Sequence, residues 1–529
     1  MAKQKIPIKT PIYQNIDEMA LSQMNAALID GYMDESGNTH RRPGLTLWNN
    51  LGTGAKVDGL YWWKKQNYLI AVSGGKIFKV PTLGGAVTEI TGDTLVSGAR
   101  PMFTEDGTYV FMANGGKITH YNNDGTTTAM ADADAPILVT HLGFHDQYLL
   151  CNNVGTGQMH YSDAGNSLSW SALSFVTIES DPDTLIALSI AWREILCLGK
   201  DSAEIWWDDG STPFSRLGGA YTERGCSAPY SLCFFDNTWH WLDHTRRLVK
   251  IEGRTPVVVS TPFDKVIQGL SSISDTLGDL CEINGRTFYV LSFPTAGKTF
   301  IYDYALKNWF EWCYWNSATA TYDRWLGNCV CYAKDWNTWL VGSRVDGKIY
   351  TMSPTIYTDD GNPIRTLRRT AHVDYGTMAR KRSNSVSLRL KRGTGLPSGS
   401  PSEVTGTDTN IYTCIRNHTS SSSTKPITGS NWAFYWKQAG LVGGAWADAT
   451  SYSANIPYMI VRWKDNNKNS WSNEHTIDLG KSGETELIAK LKRLGIYTTR
   501  QWEFILSDAV PLILCDAEED LELCDTDKE

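Results

Sequence analysis

The sequence has no apolar run long enough to cross a bilayer: the longest, residues 510–515, is about six residues against the ~20 that a spanning helix needs. Behind Met1-Ala2-Lys3-Gln4-Lys5 comes Ile-Pro-Ile-Lys rather than a long apolar stretch, so no export signal is expected and the chain is expected to be used without export. None of the 11 cysteines stands in Cys-x-x-Cys spacing, and Cys151, Cys197 and Cys233 lie inside apolar runs, which predicts reduced thiols acting as small core residues. Cys329 and Cys331 are two residues apart in a strand pattern with no histidine cluster beside them, and His141 and His145 share no helical face. There is no Gly-rich phosphate loop, no His-Glu-x-x-His and no Gly-x-Ser-x-Gly. No cofactor, no metal and no catalytic residue is therefore expected.

What is present is repetition. The 529 residues are 41% apolar and 20% charged, enough chain for several ordinary domains. From about residue 57 to 353 an apolar strand, a short Gly/Asn/Asp turn and a second strand recur. Tyr68-Leu-Ile-Ala-Val72, Ser-Gly-Gly, Lys76-Ile-Phe-Lys-Val80 is nearly repeated as Tyr109-Val-Phe-Met-Ala113, Asn-Gly-Gly, Lys117-Ile-Thr-His-Tyr121. Taking Ile77, Ile118, Met159, Ile205, Val249, Ile301 and Ile349 as equivalent, the steps are 41, 41, 46, 44, 52 and 48 residues, the spacing of propeller blades. A four-stranded sheet of that length cannot cover both its faces, whereas radial stacking buries each sheet against the next. The expected fold is mainly β: a β-propeller of about seven blades, with six or eight also compatible because a terminal blade can borrow a strand. Leu45-Thr-Leu-Trp48 is the candidate closing strand.

The flanking segments read differently. Residues 1–50 are expected to form an N-terminal arm that packs on a C-terminal platform and closes a propeller over residues 51–356. Residues 357–395 and 456–514 carry alternating strands such as Ser383–Leu390, Tyr458–Trp463 and Trp502–Leu506 and are expected to form a β-sandwich or platform. Residues 484–494 fit either a helix or a strand. Residues 396–455, rich in Ser, Thr, Gly and Trp, are expected to be an inserted small β module.

Charge is segregated. The last fifteen residues, 515–529, hold eight acids and one lysine, −7 of a formal net −8, and are expected to be an acidic tail. Residues 365–392 hold nine Lys/Arg against the single acid Asp374. No aromatics interleave to stack bases, so the run reads as a solvated strand face or as a contact for an acidic protein face rather than for nucleic acid, with Arg365, Arg368, Arg369, Arg380, Lys381 and Arg382 as the candidate contacts to a protein neighbour. The run Tyr161-Ser-Asp163-Ala-Gly165-Asn-Ser167-Leu-Ser-Trp170 is similar to the Asp-box turn of sialidase-like propellers, with Tyr161 where Ser or Thr belongs and Trp170 two residues late. The neighbouring acids Glu179, Asp181 and Asp183 read as a solvated loop rather than as facing glycosidase carboxylates.

Leu491-Lys-Arg493-Leu-Gly495, then Arg500, Glu503-Phe504, and Ser507-Asp508-Ala-Val510-Pro511 resemble the recurrent ending of the tail hub or nozzle (packaged-DNA stabilisation) proteins of short-tailed bacteriophages. Asn25-Ala with Arg42-Pro-Gly-Leu45, and Ala191-Trp-Arg193-Glu-Ile-Leu-Cys-Leu-Gly199 followed by Ala203-Glu-Ile-Trp206, fit the opening and mid-propeller strands of the same family. The resemblance implies a non-enzymatic ring, a homo-hexamer, in the virion tail, assembled in the host cytoplasm. Its implied partners are portal and adaptor proteins, tail fibres or tailspikes, a tail needle or plug, and the double-stranded DNA in its lumen. The inserted segment looks like the small carbohydrate-binding-like modules of phage structural proteins. There Trp432, Tyr435, Trp436 and Trp446 would stack on a host surface glycan and His418 would donate hydrogen bonds, unless the same aromatics form the module's own core. The alternative is a stand-alone β-propeller that binds or hydrolyses glycans.

Overall fold

The computed structural model describes residues 2–9, 26–178, 182–210, 213–261, 263–391, 403–414, 418–419, 421–438, 451–452, 457–466, 468, 470–480 and 489–524. The chain divides into two units, one of residues 13–15 and 43–361, the other of residues 1–12, 16–42 and 362–529.

The first unit is a seven-bladed propeller. Each blade is a four-stranded antiparallel meander, and the innermost strands are Val57–Trp63, Met102–Glu105, Leu142–His145, Leu185–Ala191, Cys233–Phe235, Leu277–Ile283 and Gly327–Ala333. They are neighbours in that order, with Tyr61 stacked on Phe103 between the first two, and the Gly327–Ala333 strand returns beside Val57–Trp63, closing the circle. The seven residues taken as equivalent from the repeat are all buried and lie in, or immediately before, the third strand of successive blades. Apolar clusters fill the space between consecutive blades. One joins Met159 and Leu150 of blade 3 to Ile195 and Trp206 of blade 4, and another joins Phe78 and Leu69 of blade 1 to Leu340 and Ile349 of blade 7. Inner strands approach so closely that a Cβ on Gly59 would lie 2.4 Å from Pro101 Cγ.

Blade 7 is composite. Its first three strands come from residues 327–353, and its outermost is Gly44–Asn50, paired antiparallel with Lys348–Ser353 so that Leu45 stands opposite Met352 and Leu47 opposite Tyr350. Residues 45–48, expected to close the ring, lie in that strand. The propeller unit accordingly begins at residue 43 and ends at 361, wider at both ends than 51–356.

The second unit contains a β-sandwich. One run of strands is ordered Ala27–Ile29, Thr366–Val373, Arg500–Leu506, Tyr458–Asp465, His475–Asp478. The opposing sheet is ordered Gly31–Met33, Thr39–Arg41, Ile513–Leu523, Lys381–Leu390, Ala489–Lys492, with Ala2–Lys5 also on Ile513–Leu523. Val461, Trp502, Phe504 and Leu506 meet Ile6, Val386, Leu388, Leu514 and Ala517 between them. Of residues 484–494, residues 489–494 are described, and Ala489–Lys492 is a strand.

The expected acidic tail is a correction. Ile513–Leu523 is an eleven-residue strand with partners on both sides: Lys381–Leu390 along one edge, Ala2–Lys5 and Thr39–Arg41 along the other. Leu514, Ala517, Glu519 and Leu521 are buried, so a half-buried strand pattern lies beneath the acid count. Residues 525–529 lie outside the described residues. Within the inserted segment, Glu403–Thr405, Ile411–Cys414 and Trp436–Gln438 form a three-stranded sheet, and His418–Thr419 pairs with Ser451–Tyr452.

Candidate functional site

The propeller hub holds a polar cluster surrounded by apolar inner strands. Arg100, in the connector entering blade 2, donates to both carboxylate oxygens of Asp279 on the inner strand of blade 6, Nη2 to Oδ1 at 2.5 Å and Nη1 to Oδ2 at 3.2 Å. Nη1 also donates to the carbonyl of Asn328 in blade 7 at 3.1 Å. The Asn328 side chain in turn donates from Nδ2 to the carbonyl of Val57 in blade 1 and accepts from Arg324 Nη2 at 2.8 Å. The network therefore ties blades 6, 7 and 1 and the entrance of blade 2 across the seam where the first and last blades meet. The side chains of Arg100 and Asp279 are 16% and 8% exposed.

The pair is electrostatically asymmetric. Burial raises the Asp279 carboxyl above its ordinary range even with Arg100 beside it, whereas at Arg100 burial, the largest single effect, is overcome by the attraction of Asp279 together with the hydrogen bonds to it, which hold the guanidinium charged. Tyr230, Trp339, Met102, Leu232 and Val330 line a cavity of about 340 Å³ around the pair. His141 stacks on Tyr230, and burial pushes its imidazole down to about 4. No local motif marks this cluster, since Arg100 and Asp279 are 179 residues apart in sequence.

The basic run is dispersed by the fold. Arg368 is buried and donates from Nε and Nη2 to the carbonyl of Ile8 and from Nη1 to those of Ala27 and Arg369. Lys381 is buried, and its ammonium donates to the carbonyls of Thr377, Ala379 and Thr498 at 2.7–2.9 Å. Neither side chain is available to another subunit, which corrects that expectation for these two. Arg369 is ion-paired with the buried Glu503 and stacks over Trp471, and Arg365 donates to Ser507 Oγ. Arg380 and Arg382 are exposed.

The acidic strand neutralises the basic one within the chain. Arg382 stands opposite Glu522 and Arg389 opposite Asp516, while Lys5 reaches Asp516 at 3.1 Å. Beneath them the buried Glu519 accepts from the hydroxyls of Tyr375 and Tyr497 at 2.8 Å each. Arg500, paired bidentately with Asp465, lies 3.6 Å from Glu519 Oε1. Burial and the Glu519 charge raise both phenols far above the ordinary tyrosine range.

In the inserted module Trp436 is 1% exposed, clusters with Val404, Tyr412 and Cys414, and donates its indole N–H to the Thr424 carbonyl at 2.7 Å. It is core and offers no face to a sugar, which corrects the glycan expectation at this position. Trp432 is half-buried, its ring edge-on to Tyr412. The side chains of Tyr435 and His418, and Trp446 altogether, lie outside the described residues, as do Glu179 and Asp181. Asp183 accepts from the backbone N–H groups of Asp201 and Ser202, a loop-fixing role. The Asp-box-like run is the outer hairpin of blade 3, where Ser169 donates to Asp163 and Trp170 is buried. Among the described residues no three His, Cys, Asp or Glu side chains are placed to hold a metal ion, and no helix is long and apolar enough to cross a membrane.

No curated protein matches the chain. Among solved structures, the computationally designed Ika8 protein is 14% identical over 58% of this chain and 99% of its own, with a TM-score of 0.36. The extracellular domain of BT4673 from B. thetaiotaomicron is 10% identical over 88% of this chain and 61% of its own, with a TM-score of 0.40. The β-propeller domain of Cps50 (Swd1) from Myceliophteria thermophila is 10% identical over 58% of this chain and 99% of its own, with a TM-score of 0.38. Likenesses this distant say nothing about partners. Residues 22–357, more than half of the chain, match the family described as Bacteriophage P22 Gp10, β-propeller. The chain belongs to that family of structural bacteriophage proteins.

Proposed function

We propose that the protein is the nozzle or hub of a short phage tail: six copies form a ring that extends the portal and adaptor channel, retains packaged double-stranded DNA and conducts it during ejection. The observation that carries this reading is a family propeller built as a stiff block. It is sealed at its perimeter by the Gly44–Asn50 strand and at its hub by the network of Arg100, Asp279 and Asn328. Such a block suits a wall element. In such a ring DNA would pass through the lumen between subunits and not through a propeller. Tail fibres or tailspikes and a needle or plug would attach around that ring. In the inserted module, glycan recognition would have to use Trp432, Tyr435, Trp446 or His418 rather than Trp436.

The test is twofold. Light scattering on the purified chain, alone and with adaptor-bearing particles, should report a hexameric ring in at least one condition. Particles assembled without the chain should lose their DNA. A chain that stays monomeric in both conditions, together with particles that keep their DNA without it, refutes the reading.

A further inference from the structure

The seven blades give seven internal comparisons at the turn between first and second strands. Left-handed backbone there falls on Asn67 in blade 1, Gly107 in blade 2, Asp146 and Gln147 in blade 3, Asp236 and Asn237 in blade 5, Asn284 and Gly285 in blade 6, and Asn337 in blade 7. These are small or amide-bearing residues, most of them the types that tolerate positive φ. Blade 4 departs from the pattern: its left-handed residue is Trp192, with φ of +53°, in the two-residue turn between Ala191 and Glu194.

The indole is not buried in compensation. Trp192 is 62% exposed, and the Arg193 side chain beside it is 81% exposed. The ring contact is with Phe234 of blade 5, edge-to-face with centroids 5.2 Å apart, and Phe234 is itself held by Trp239. Arg193 Nε stands 4.0 Å from the Asp146 carboxylate. A bulky residue in a conformation that suits glycine or asparagine, on a short rigid hairpin, leaning on one aromatic and open to water, weakens the isolated fold. Local strain of this kind collects where a site needs it. Tryptophan beside arginine is also the composition of interface hot spots.

We propose that Trp192 and Arg193 form a protein-docking knob on blade 4. Its partner is a neighbouring virion protein subunit with an apolar pocket for the indole and a carboxylate for the Arg193 guanidinium. The exposed cation fixes the sign of the partner's charge, and the pre-oriented indole fixes the shape of its pocket. The inference rests on the proposal that the chain is built into the virion.

The test uses full-length W192N, W192G and R193E, supplied in trans to phage lacking the chain. Because Asn and Gly suit the backbone at 192, both variants should melt at or above the wild-type temperature. Incorporation into particles should nevertheless fall at least about ten-fold, the scale of a lost hot spot, and R193E should fall likewise. If the wild-type chain is itself absent from purified particles, the virion reading fails and takes the knob with it. If wild type and W192N are incorporated equally, the knob is refuted while the virion reading stands. Normal incorporation of W192N with lost adsorption to host polysaccharide would make Trp192 a sugar-stacking residue and overturn the proposal.

Discussion

Replacing Arg100 by Met tests whether the hub network closes the ring. The substitution keeps the length of the side chain and removes the guanidinium, leaving the Asp279 carboxylate 8% exposed and without its ion-pair partner. Breaking a buried pair in this way costs about 3–5 kcal/mol. Unfolding entropy of about 2.1 cal/mol/K per residue over a unit of roughly 320 residues gives about 0.7 kcal/mol/K, so the melting temperature should fall by about 4–7 °C. The double variant R100M/D279L removes both charges. Because burial already raises the Asp279 pKa with Arg100 present, its ionised form costs stability in the fold, and the double variant should melt near or above wild type. The pH sign agrees. A carboxyl with a raised folded pKa adds stability below its unfolded value and loses it as pH rises through the folded value. R100M should therefore regain stability on mild acidification more than wild type does. Calorimetry of the four proteins of the cycle is the assay. A loss under about 1 kcal/mol in R100M, or no recovery in the double variant, refutes the hub argument.

Burial pushes the His240 imidazole down to about 3, and its ring stacks on Phe235 at 3.9 Å. A depressed folded pKa gives stability that is present above the unfolded value near 6.5 and lost toward acid, about 2.7 kcal/mol two pH units below it. His240→Phe should flatten that part of the stability curve in denaturant titrations, and an unchanged slope counts against a neutral buried imidazole. Trp436→Ala should cost the inserted module about 3–5 kcal/mol, seen as increased proteolysis of that segment with the propeller intact. A folded module that merely lost glycan binding would contradict the core assignment. Changing Asp516, Asp520 and Glu522 together to Asn should give the chain duplex-DNA affinity that falls steeply between low and physiological salt in filter binding. No gain over wild type would show that the basic strand needs no acidic neighbour to keep it quiet.

The propeller was legible because each blade repeats its chemistry locally. A buried aliphatic at the third strand, a Gly/Asn/Asp turn and a second apolar strand recur within forty to fifty residues, and Ile77 through Ile349 fall where that pattern puts them. Composition hid the rest. Leu514, Ala517 and Leu521 already carried a strand pattern, but eight acids in fifteen residues read as a solvated tail. Arg368 and Lys381 looked like members of a basic surface because part of what buries them is far away in sequence: the carbonyls of Ile8 and Ala27 hold Arg368, and that of Thr498 joins the local Thr377 and Ala379 carbonyls on Lys381. For Trp436 the sequence left core and sugar platform equally open, and the Thr424 carbonyl beside its indole decides for core. The hub pair had no local signal of any kind.

Counting charge by segment fails here for a physical reason that bears on the proposed role. In a sheet the neighbours of a residue are set by strand register, so a basic segment and an acidic one far apart in sequence become a neutral patch when they pair, as Arg382 does with Glu522 and Arg389 with Asp516. Two of the nine cations in residues 365–392 are buried on carbonyls and a third is locked to Glu503. The cations left to meet a phosphate backbone are therefore far fewer than nine. Each phosphate contact forgone removes about 0.9 from the slope of log K against log salt, and with it the adhesion that would stall a sliding duplex. A nozzle must confine DNA without gripping it. In the proposed role, strand pairing that cancels charge inside one subunit would meet that requirement without relying on any partner, and would leave the proposed knob of Trp192 and Arg193, both exposed, to serve assembly.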